Sequence, residues 1–154
     1  MPPLFVDKTI EIDAPPFKVW DVLTKAEFTA QWAPEFERGG PFRIESEWRI
    51  GAPVLWQDED NATLVEGHVT RLEPGKMLRF TVSDVRMAKG PSVSEEDGIT
   101  FELSQQDAHT LLHVRQGDFS AMNEGEKYRQ MSADVWDHVL PRIKRLAEVP
   151  AENP

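Results

Sequence analysis

The sequence contains no cysteine, which excludes disulfides, thiolate zinc sites and cysteine nucleophiles. It is also short of positive charge: Lys and Arg total 17 against 27 Asp and Glu, so the formal net charge is −10. Because phosphate binding depends on clustered Lys and Arg, we expect no nucleic-acid partner and no anionic membrane surface as a partner. No apolar run approaches the roughly 20 residues of a transmembrane helix, so we expect no membrane insertion.

The N-terminus lacks the basic start and apolar stretch of a secretory signal. Together with the absence of cysteine, this predicts a cytoplasmic protein, of bacterial rather than eukaryotic type. The length of 154 residues predicts a single domain. We place this domain at residues 4–148, followed by a flexible C-terminal tail at residues 149–154.

What the sequence does contain is a clear change of hydrophobic period along the chain. Period-two alternation predicts strands, and apolar residues spaced by three and four predict helices. The order is strand, two short helices, six strands and one long helix (β-α-α-β6-α). The expected strands are residues 4–12, 42–48, 52–56, 63–72, 78–82, 99–103 and 112–116, and the helices are 17–23, 26–32 and 123–148.

Two details of the helices follow from residue type. Asp13 or Ala14 is expected to cap the first helix, with proline in its first turn. In the last helix, Pro141 is expected to remove a backbone hydrogen bond and bend the axis. The apolar stripe of that helix is predicted to comprise Tyr128, Met131, Val135, Val139, Ile143 and Leu146, widened by Trp136, Leu140 and Ala147.

This element order predicts an α+β fold, in which a curved antiparallel seven-stranded sheet wraps around the long C-terminal helix. Such a sheet does not close tightly on one helix, so a space between the two is expected. Five Trp and eight Phe are available to fill or to line it, and the pattern leaves both possibilities open. The residues expected to line a cavity are Phe42, Trp48, Trp56, Phe80, Phe101, Val114, Tyr128, Met131, Val135 and Trp136.

Four stretches of the chain resemble the START-like helix-grip (SRPBCC, Bet v 1-like) superfamily. Within it, the chain is most similar to the family named for homology to the activator of the heat-shock-protein-90 ATPase. The stretches are IEIDAPPFKVWDVLTKAEFTAQW, VEGHVTRLEPGKMLRFTV, TFELSQQDAHTLLHVRQGDF and WDHVLPRIKRLAE, in the family's order. The resemblance implies a helix-grip fold and a hydrophobic ligand held between the sheet and the long helix.

Polar groups give a weaker signal than the aromatic residues. Glu66 and His68 are candidates for polar groups in the cavity, but their strand face is ambiguous from the pattern. The four histidines show no metal-ligand spacing, and no catalytic motif appears, so we expect no metal, no cofactor and no catalytic residue. The stretch 84–98 has no periodicity, and it is interpreted either as a mobile lid over the cavity or as an inert insertion.

Three functions are compatible with these features. The leading hypothesis is binding of a small hydrophobic or amphipathic molecule without chemistry. The alternatives are a cyclase- or aromatase-like enzyme using polar cavity residues, as in relatives with this fold, and a co-chaperone-type interaction protein, as the family name implies. We expect a monomer or a homodimer.

Overall fold

The computed structural model describes residues 3–37, 40–84, 98–120 and 124–149. Within these ranges the chain forms the predicted α+β fold, with three α-helices and an antiparallel sheet. The strands are β1 (Val6–Ile12), β2 (Arg43–Ser46), β3 (Pro53–Gln57), β4 (Thr63–Glu73), β5 (Met77–Phe80), β6 (Ser83–Asp84), β7 (Ile99–Gln106) and β8 (His109–Gln116). The helices are α1 (Pro16–Thr24), α2 (Ala26–Trp32) and α3 (Gly125–Glu148), with a 3-10 helix at Ala33–Glu37.

The sheet is a continuous antiparallel surface with the strand order β1-β8-β7-β5-β4-β3-β2. These are the seven strands expected from the sequence. The two-residue strand β6 pairs with β4 beside this path, and the sequence pattern does not predict it. Since β1 and β8 are far apart in sequence, their pairing brings the start of the chain against the strand that precedes α3.

Helix α3 packs against the sheet and against α1 and α2, as the helix-grip arrangement requires. Except for Gly125, its buried residues belong to the hydrophobic core cluster that the described residues form. The helix continues through Pro141 without interruption, so this residue lies inside α3 and does not end it, and the bend expected there stays a prediction. The buried face of α3 comprises Gly125, Ala133, Trp136, Val139, Leu140, Ile143 and Ala147.

That buried face is rotated from the predicted stripe. Met131 is 50% exposed, and Tyr128 and Val135 are half-buried. Five residues separate Met131 from Trp136, which turns the helix by about 140° and points the two side chains in different directions. The sequence pattern therefore identified the helix and the buried Val139, Ile143, Trp136, Leu140 and Ala147, but it wrongly included Met131 in the apolar face.

Two further local predictions were wrong. The N-cap of α1 is Pro15, without a side-chain cap, rather than Asp13 or Ala14; proline does occupy the first helical turn as expected. The alternation at residues 42–48 predicted a strand to Trp48, whereas β2 ends at Ser46 and Trp48 adopts a left-handed backbone with φ of 49°. Such a φ is uncommon for a bulky side chain and ends the strand.

Several sequence-based predictions fall outside the described residues. These are the first residue of the predicted last helix, Asn123, most of the stretch 84–98 that was interpreted as a lid or an insertion, and residues 150–154 of the expected tail. Among the helices that the structure describes, none is both long enough and apolar enough to cross a membrane.

Candidate functional site

Five aromatic side chains form a closed circuit of ring contacts between the sheet and the helices. Trp56 of β3 contacts Phe36 of the 3-10 helix, with 5.4 Å between ring centroids. Phe36 contacts Trp136 of α3 at 5.0 Å, and Trp136 contacts Phe101 of β7 at 5.8 Å. Phe101 lies 6.1 Å from Phe80 of β5, which returns to Trp56 at 6.4 Å. We call these five residues the aromatic cluster.

Three more rings extend the aromatic cluster at its edges. Phe42 contacts Trp56 at 5.5 Å, Trp48 contacts Phe80 at 5.8 Å, and Trp32 lies 6.5 Å from both Phe36 and Trp136. These separations lie in the range of about 4.5–7 Å at which aromatic pairs attract. The rings are therefore in direct contact with one another, and they join three strands to α2, the 3-10 helix and α3.

Three of the indole groups donate hydrogen bonds within the protein. Trp32 Nε1 donates to the carbonyl oxygen of Val22 at 2.8 Å. Trp48 Nε1 donates to the carbonyl oxygen of Thr24, also at 2.8 Å. Trp136 Nε1 donates to the side-chain oxygen of the buried Gln116 at 2.9 Å. Buried indoles usually find such a partner, and these bonds fix the orientation of the three rings.

Trp56 differs, because its Nε1 is buried without a hydrogen-bond partner among the described residues. The whole residue is only 3% exposed, so water does not reach the group from the surface. His109 Nδ1 is also buried without a hydrogen bond there, but it lies 3.3 Å from an Asp13 carboxylate oxygen. No carboxylate of the described residues accepts a hydrogen bond from Trp56 Nε1, which lies among aromatic rings.

The structure places most of the predicted lining residues in the interior. Val114 and five of the predicted aromatic residues are buried, while Trp48, Tyr128 and Val135 are half-buried and pack against the core. Met131 is half exposed and lies outside the aromatic cluster. The buried aromatic residues are Phe42, Trp56, Phe80, Phe101 and Trp136.

Sequence reasoning missed Phe36, the residue that joins Trp56 to Trp136. It lies in the 3-10 helix, which no hydrophobic period predicted. The spacing of four residues between Trp32 and Phe36 was the available signal, because it continues the apolar face of α2 beyond its end.

Glu66 and His68 lie on the face of the sheet that turns away from α3. Val65 pairs with the inward-facing Trp56, and Val69 pairs with Phe80. Because side chains alternate along a strand, Glu66 and His68 point to the opposite face. Glu66 is accordingly exposed, and His68 is half-buried with Nδ1 3.4 Å from the hydroxyl of Thr81. The expectation that these two groups reach the cavity is corrected, and the enzyme alternative loses these two of its polar groups.

The carboxylates with a clearly shifted pKa also lie elsewhere. Backbone N–H groups of Leu4 and Ser120 lower the pKa of Asp118, and Arg129 lowers the pKa of Glu126 by hydrogen bonding. Hydrogen bonds from Lys144 and from the backbone of Asp13 lower the pKa of Glu148. All three groups hold local structure together. Within the described ranges, no three His, Asp or Glu side chains are grouped as a metal site requires.

Solved structures from other proteins share this fold. The Aha1 dimer from Colwellia psychrerythraea matches with a TM-score of 0.71 and 16% identity, covering 96% of this chain and 98% of that chain. CalU16 from Micromonospora echinospora matches with a TM-score of 0.65 and 16% identity, covering 94% of this chain and 76% of that chain. At these identities the likeness shows the fold alone.

A third similar structure is DynU16, described as a putative protein in the dynemicin biosynthetic locus. Its TM-score is 0.65 at 19% identity, and the match covers 96% of this chain and 48% of that chain. This chain therefore spans about half the length of DynU16. The comparison with curated proteins finds no match.

The family model described as Activator of Hsp90 ATPase homolog 1-like protein matches residues 13–148. This range runs from the end of β1 to the end of α3, and it includes every residue of the aromatic cluster. The match confirms the resemblance drawn from the four sequence stretches. The chain belongs to the Activator of Hsp90 ATPase homolog 1-like family of the START-like superfamily.

Proposed function

We propose that this protein binds a small hydrophobic or amphipathic molecule between the sheet and α3, at the aromatic cluster, without transforming it. The observation that carries the proposal is the closed circuit of Phe36, Trp56, Phe80, Phe101 and Trp136, in which rings from both layers face one another. Ligand sites in proteins are mostly apolar and aromatic, with a few polar groups that fix orientation.

A planar ligand can bind by inserting between the rings on the helix side of the aromatic cluster and the rings on the sheet side. Separating Trp136 and Phe36 from the sheet-side rings loses contacts worth about 0.5–1.5 kcal/mol for each aromatic pair. A ligand ring inserted there restores comparable contacts on both of its faces and removes its own apolar surface from water, at about 25 cal/mol for each Å². The contacts and the apolar burial of a flat apolar molecule therefore offset the ring contacts that are lost.

The polar side chains buried around the core support a ligand without charge. All of those described are neutral, being threonines or a glutamine, so a fully buried ligand charge would meet no counter-charge among them. Burying an unpaired charge costs far more than burying apolar surface. These residues are Thr24, Thr29, Thr81, Thr100, Thr110 and Gln116.

The number of chains in the functional unit is a separate part of the proposal. The Colwellia relative is described as a dimer, whereas for this chain we expect a monomer or a homodimer. Sedimentation equilibrium with and without ligand decides between the two, and a change on ligand addition would show that binding and assembly are coupled.

A thermal-shift experiment tests the binding proposal. Polycyclic aromatic and acyl compounds are titrated into the protein, and a compound that binds the folded state should raise Tm in proportion to the logarithm of its concentration, by mass action. Phe80→Leu should weaken the response, because Phe80 belongs to the aromatic cluster. Phe17→Leu is the matched control, since Phe17 is 69% exposed on α1.

Two results would contradict the proposal. The first is a panel in which no compound raises Tm up to its solubility limit. The second is an equal weakening by Phe80→Leu and Phe17→Leu, which would place binding at the surface rather than at the aromatic cluster.

A further inference from the structure

We propose that Trp56 Nε1 is the recognition donor of the binding site and selects neutral planar ligands that carry a hydrogen-bond acceptor oxygen. The inference rests on the proposed binding function and names its ligand class. The ligands that fit are aromatic ketones, quinones and aryl ethers, whose oxygen accepts the indole hydrogen while their rings pack in the aromatic cluster.

The first argument is the contrast between Trp56 and three other indoles. Trp32, Trp48 and Trp136 each donate to a protein oxygen at 2.8–2.9 Å, so their donors are already occupied. Trp56 Nε1 is buried and has no acceptor among the described residues. The indole N–H has therefore already lost its contact with water in the free protein. A ligand oxygen gains the hydrogen bond without the free-energy cost of removing water from this donor.

The second argument is the position of Trp56 in the sheet. Three rings surround it: Phe36, Phe42 and Phe80. The pairing of β3 with β4 is irregular between Trp56 and Gln57, so that Leu64 has no opposite residue. The extra residue belongs to β4, so the irregularity lies in the strand that pairs with Trp56, and such bulges are common beside binding sites.

The third argument restricts the charge of the ligand. No Lys, Arg or His is among the buried side chains that the structure describes. A carboxylate or phosphate bound at Trp56 would give up its hydration for a single neutral donor, which does not compensate it. A carbonyl or ether oxygen has a much smaller hydration to lose, and one N–H satisfies it.

Three matched probes test the inference: fluorenone, fluorene and fluorene-9-carboxylate. They share one tricyclic framework and differ in having a neutral acceptor, no acceptor or a charged acceptor. We expect fluorenone to bind about tenfold more tightly than fluorene, the effect of one hydrogen bond to a donor that is already desolvated. The carboxylate should bind most weakly of the three.

Variants assign the preference to one nitrogen. In Trp56→Phe the tenfold preference for fluorenone should disappear, because the ring remains and the donor is lost. Trp48→Phe is the control, since it removes an indole whose donor already has a protein partner, and it should retain the preference. Benzothienylalanine at position 56 keeps the bicyclic shape without the N–H, and it should behave like Trp56→Phe.

An NMR spectrum gives a direct readout. The indole N–H cross-peak that is missing from the Trp56→Phe spectrum is the one to follow. Fluorenone should move this peak downfield in the wild-type protein, as a new N–H···O bond does, whereas fluorene should not.

The outcomes separate this inference from the binding function. Equal affinities for fluorenone and fluorene, or a preference that survives in Trp56→Phe, would overturn the role of Trp56 and leave the binding function standing. Failure of all three probes to bind would overturn both for this class of ligand.

Discussion

The two ends of the hydrophobic core contain different types of side chain. At one end, α3 packs against β1, which pairs with β8, and the buried residues there are aliphatic; we call this region the aliphatic seam. At the other end, rings meet in the aromatic cluster. The aliphatic seam comprises Val6, Ile12, Leu112, Val139 and Ile143, which are buried almost completely.

The rims of the two regions differ as well. Around the aliphatic seam, Lys8 pairs with Asp137 at 2.9 Å, and Lys144 Nζ reaches the carbonyl oxygen of Glu11 at 3.2 Å. The backbone N–H of Asp13 donates to Glu148 at 2.7 Å. The aromatic cluster instead encloses a donor without an acceptor among the residues that the structure describes. The contrast teaches that the two regions are held together differently, and that in the proposed function the unused donor of Trp56 is the group available to a ligand.

The largest expected effect tests the aliphatic seam. Ile143→Ala should lower the free energy of unfolding by about 2–5 kcal/mol, because truncation leaves a cavity among residues that cannot collapse onto it. Urea denaturation measures the loss. Leu146→Ala, at a half-buried position of the same helix, is the control and should cost less. A larger loss of unfolding free energy for Leu146→Ala would contradict the expectation that the fully buried residues of the aliphatic seam contribute most to stability.

The second effect compares two indoles of the aromatic cluster through one chemical change. Trp136→Phe leaves the oxygen of Gln116 without its donor, whereas Trp56→Phe removes a donor that no described group uses. Trp136→Phe should therefore destabilise the protein by about 1–3 kcal/mol more than Trp56→Phe does. Adding Gln116→Leu to Trp136→Phe should recover part of the loss. Equal losses in urea for the two single variants would remove the distinction between the indoles.

A smaller effect concerns the acid stability of the aliphatic seam. Lys144 and the backbone of Asp13 hold the pKa of Glu148 below its ordinary value. The ionised carboxylate therefore stabilises the fold above the unfolded pKa of about 4.3, and this contribution is lost as the pH falls through the lower folded value. Because solvent reaches the pair, Glu148→Gln should lower stability at pH 7 by under about 1 kcal/mol.

The measurement is unfolding of both proteins in urea at several pH values. The wild type and Glu148→Gln should differ at pH 7 and converge as the pH falls through the lowered pKa of the folded-state carboxyl, below which it is protonated in both states. A gap that is the same at pH 7 and in acid would mean that the charge of Glu148 does not stabilise the fold.

The smallest effect is expected at the exposed ion pair. Asp137→Asn removes the partner of Lys8, and surface pairs of this kind contribute about 0–1 kcal/mol. The loss should shrink in 1 M NaCl, where screening acts over about 3 Å. A loss of unfolding free energy above about 1 kcal/mol that does not change with salt would show that this ion pair stabilises the fold more than exposed pairs usually do.

Local patterns predicted the fold well because they depend on neighbouring residues. Helix α2 was predicted with its observed bounds, and the alternation of apolar residues in β7 and β8 identified two paired strands. The order of the elements predicted how they are assembled, and the resemblance of the four stretches to one family agreed with that prediction.

The site was less predictable because it depends on contacts between distant residues. Phe36 joins Trp56 to Trp136 across three elements, and no local period indicates this. The strand face of Glu66 and His68 was set by the pairing of β4 with β3 and β5. Which indole would find an acceptor depends on Gln116, Val22 and Thr24, all distant in sequence from the ring that they bind.

The proximity of Trp32 and Trp136 has an optical consequence. Their ring centroids lie 6.5 Å apart with an angle of 35° between the planes. Electronic transitions of two indoles this close and this inclined couple, so the pair should give a paired positive and negative band in the far-ultraviolet circular dichroism spectrum. Either Trp32→Phe or Trp136→Phe should abolish it. Because one ring belongs to α2 and the other to α3, this signal reports the distance between the two helices in solution.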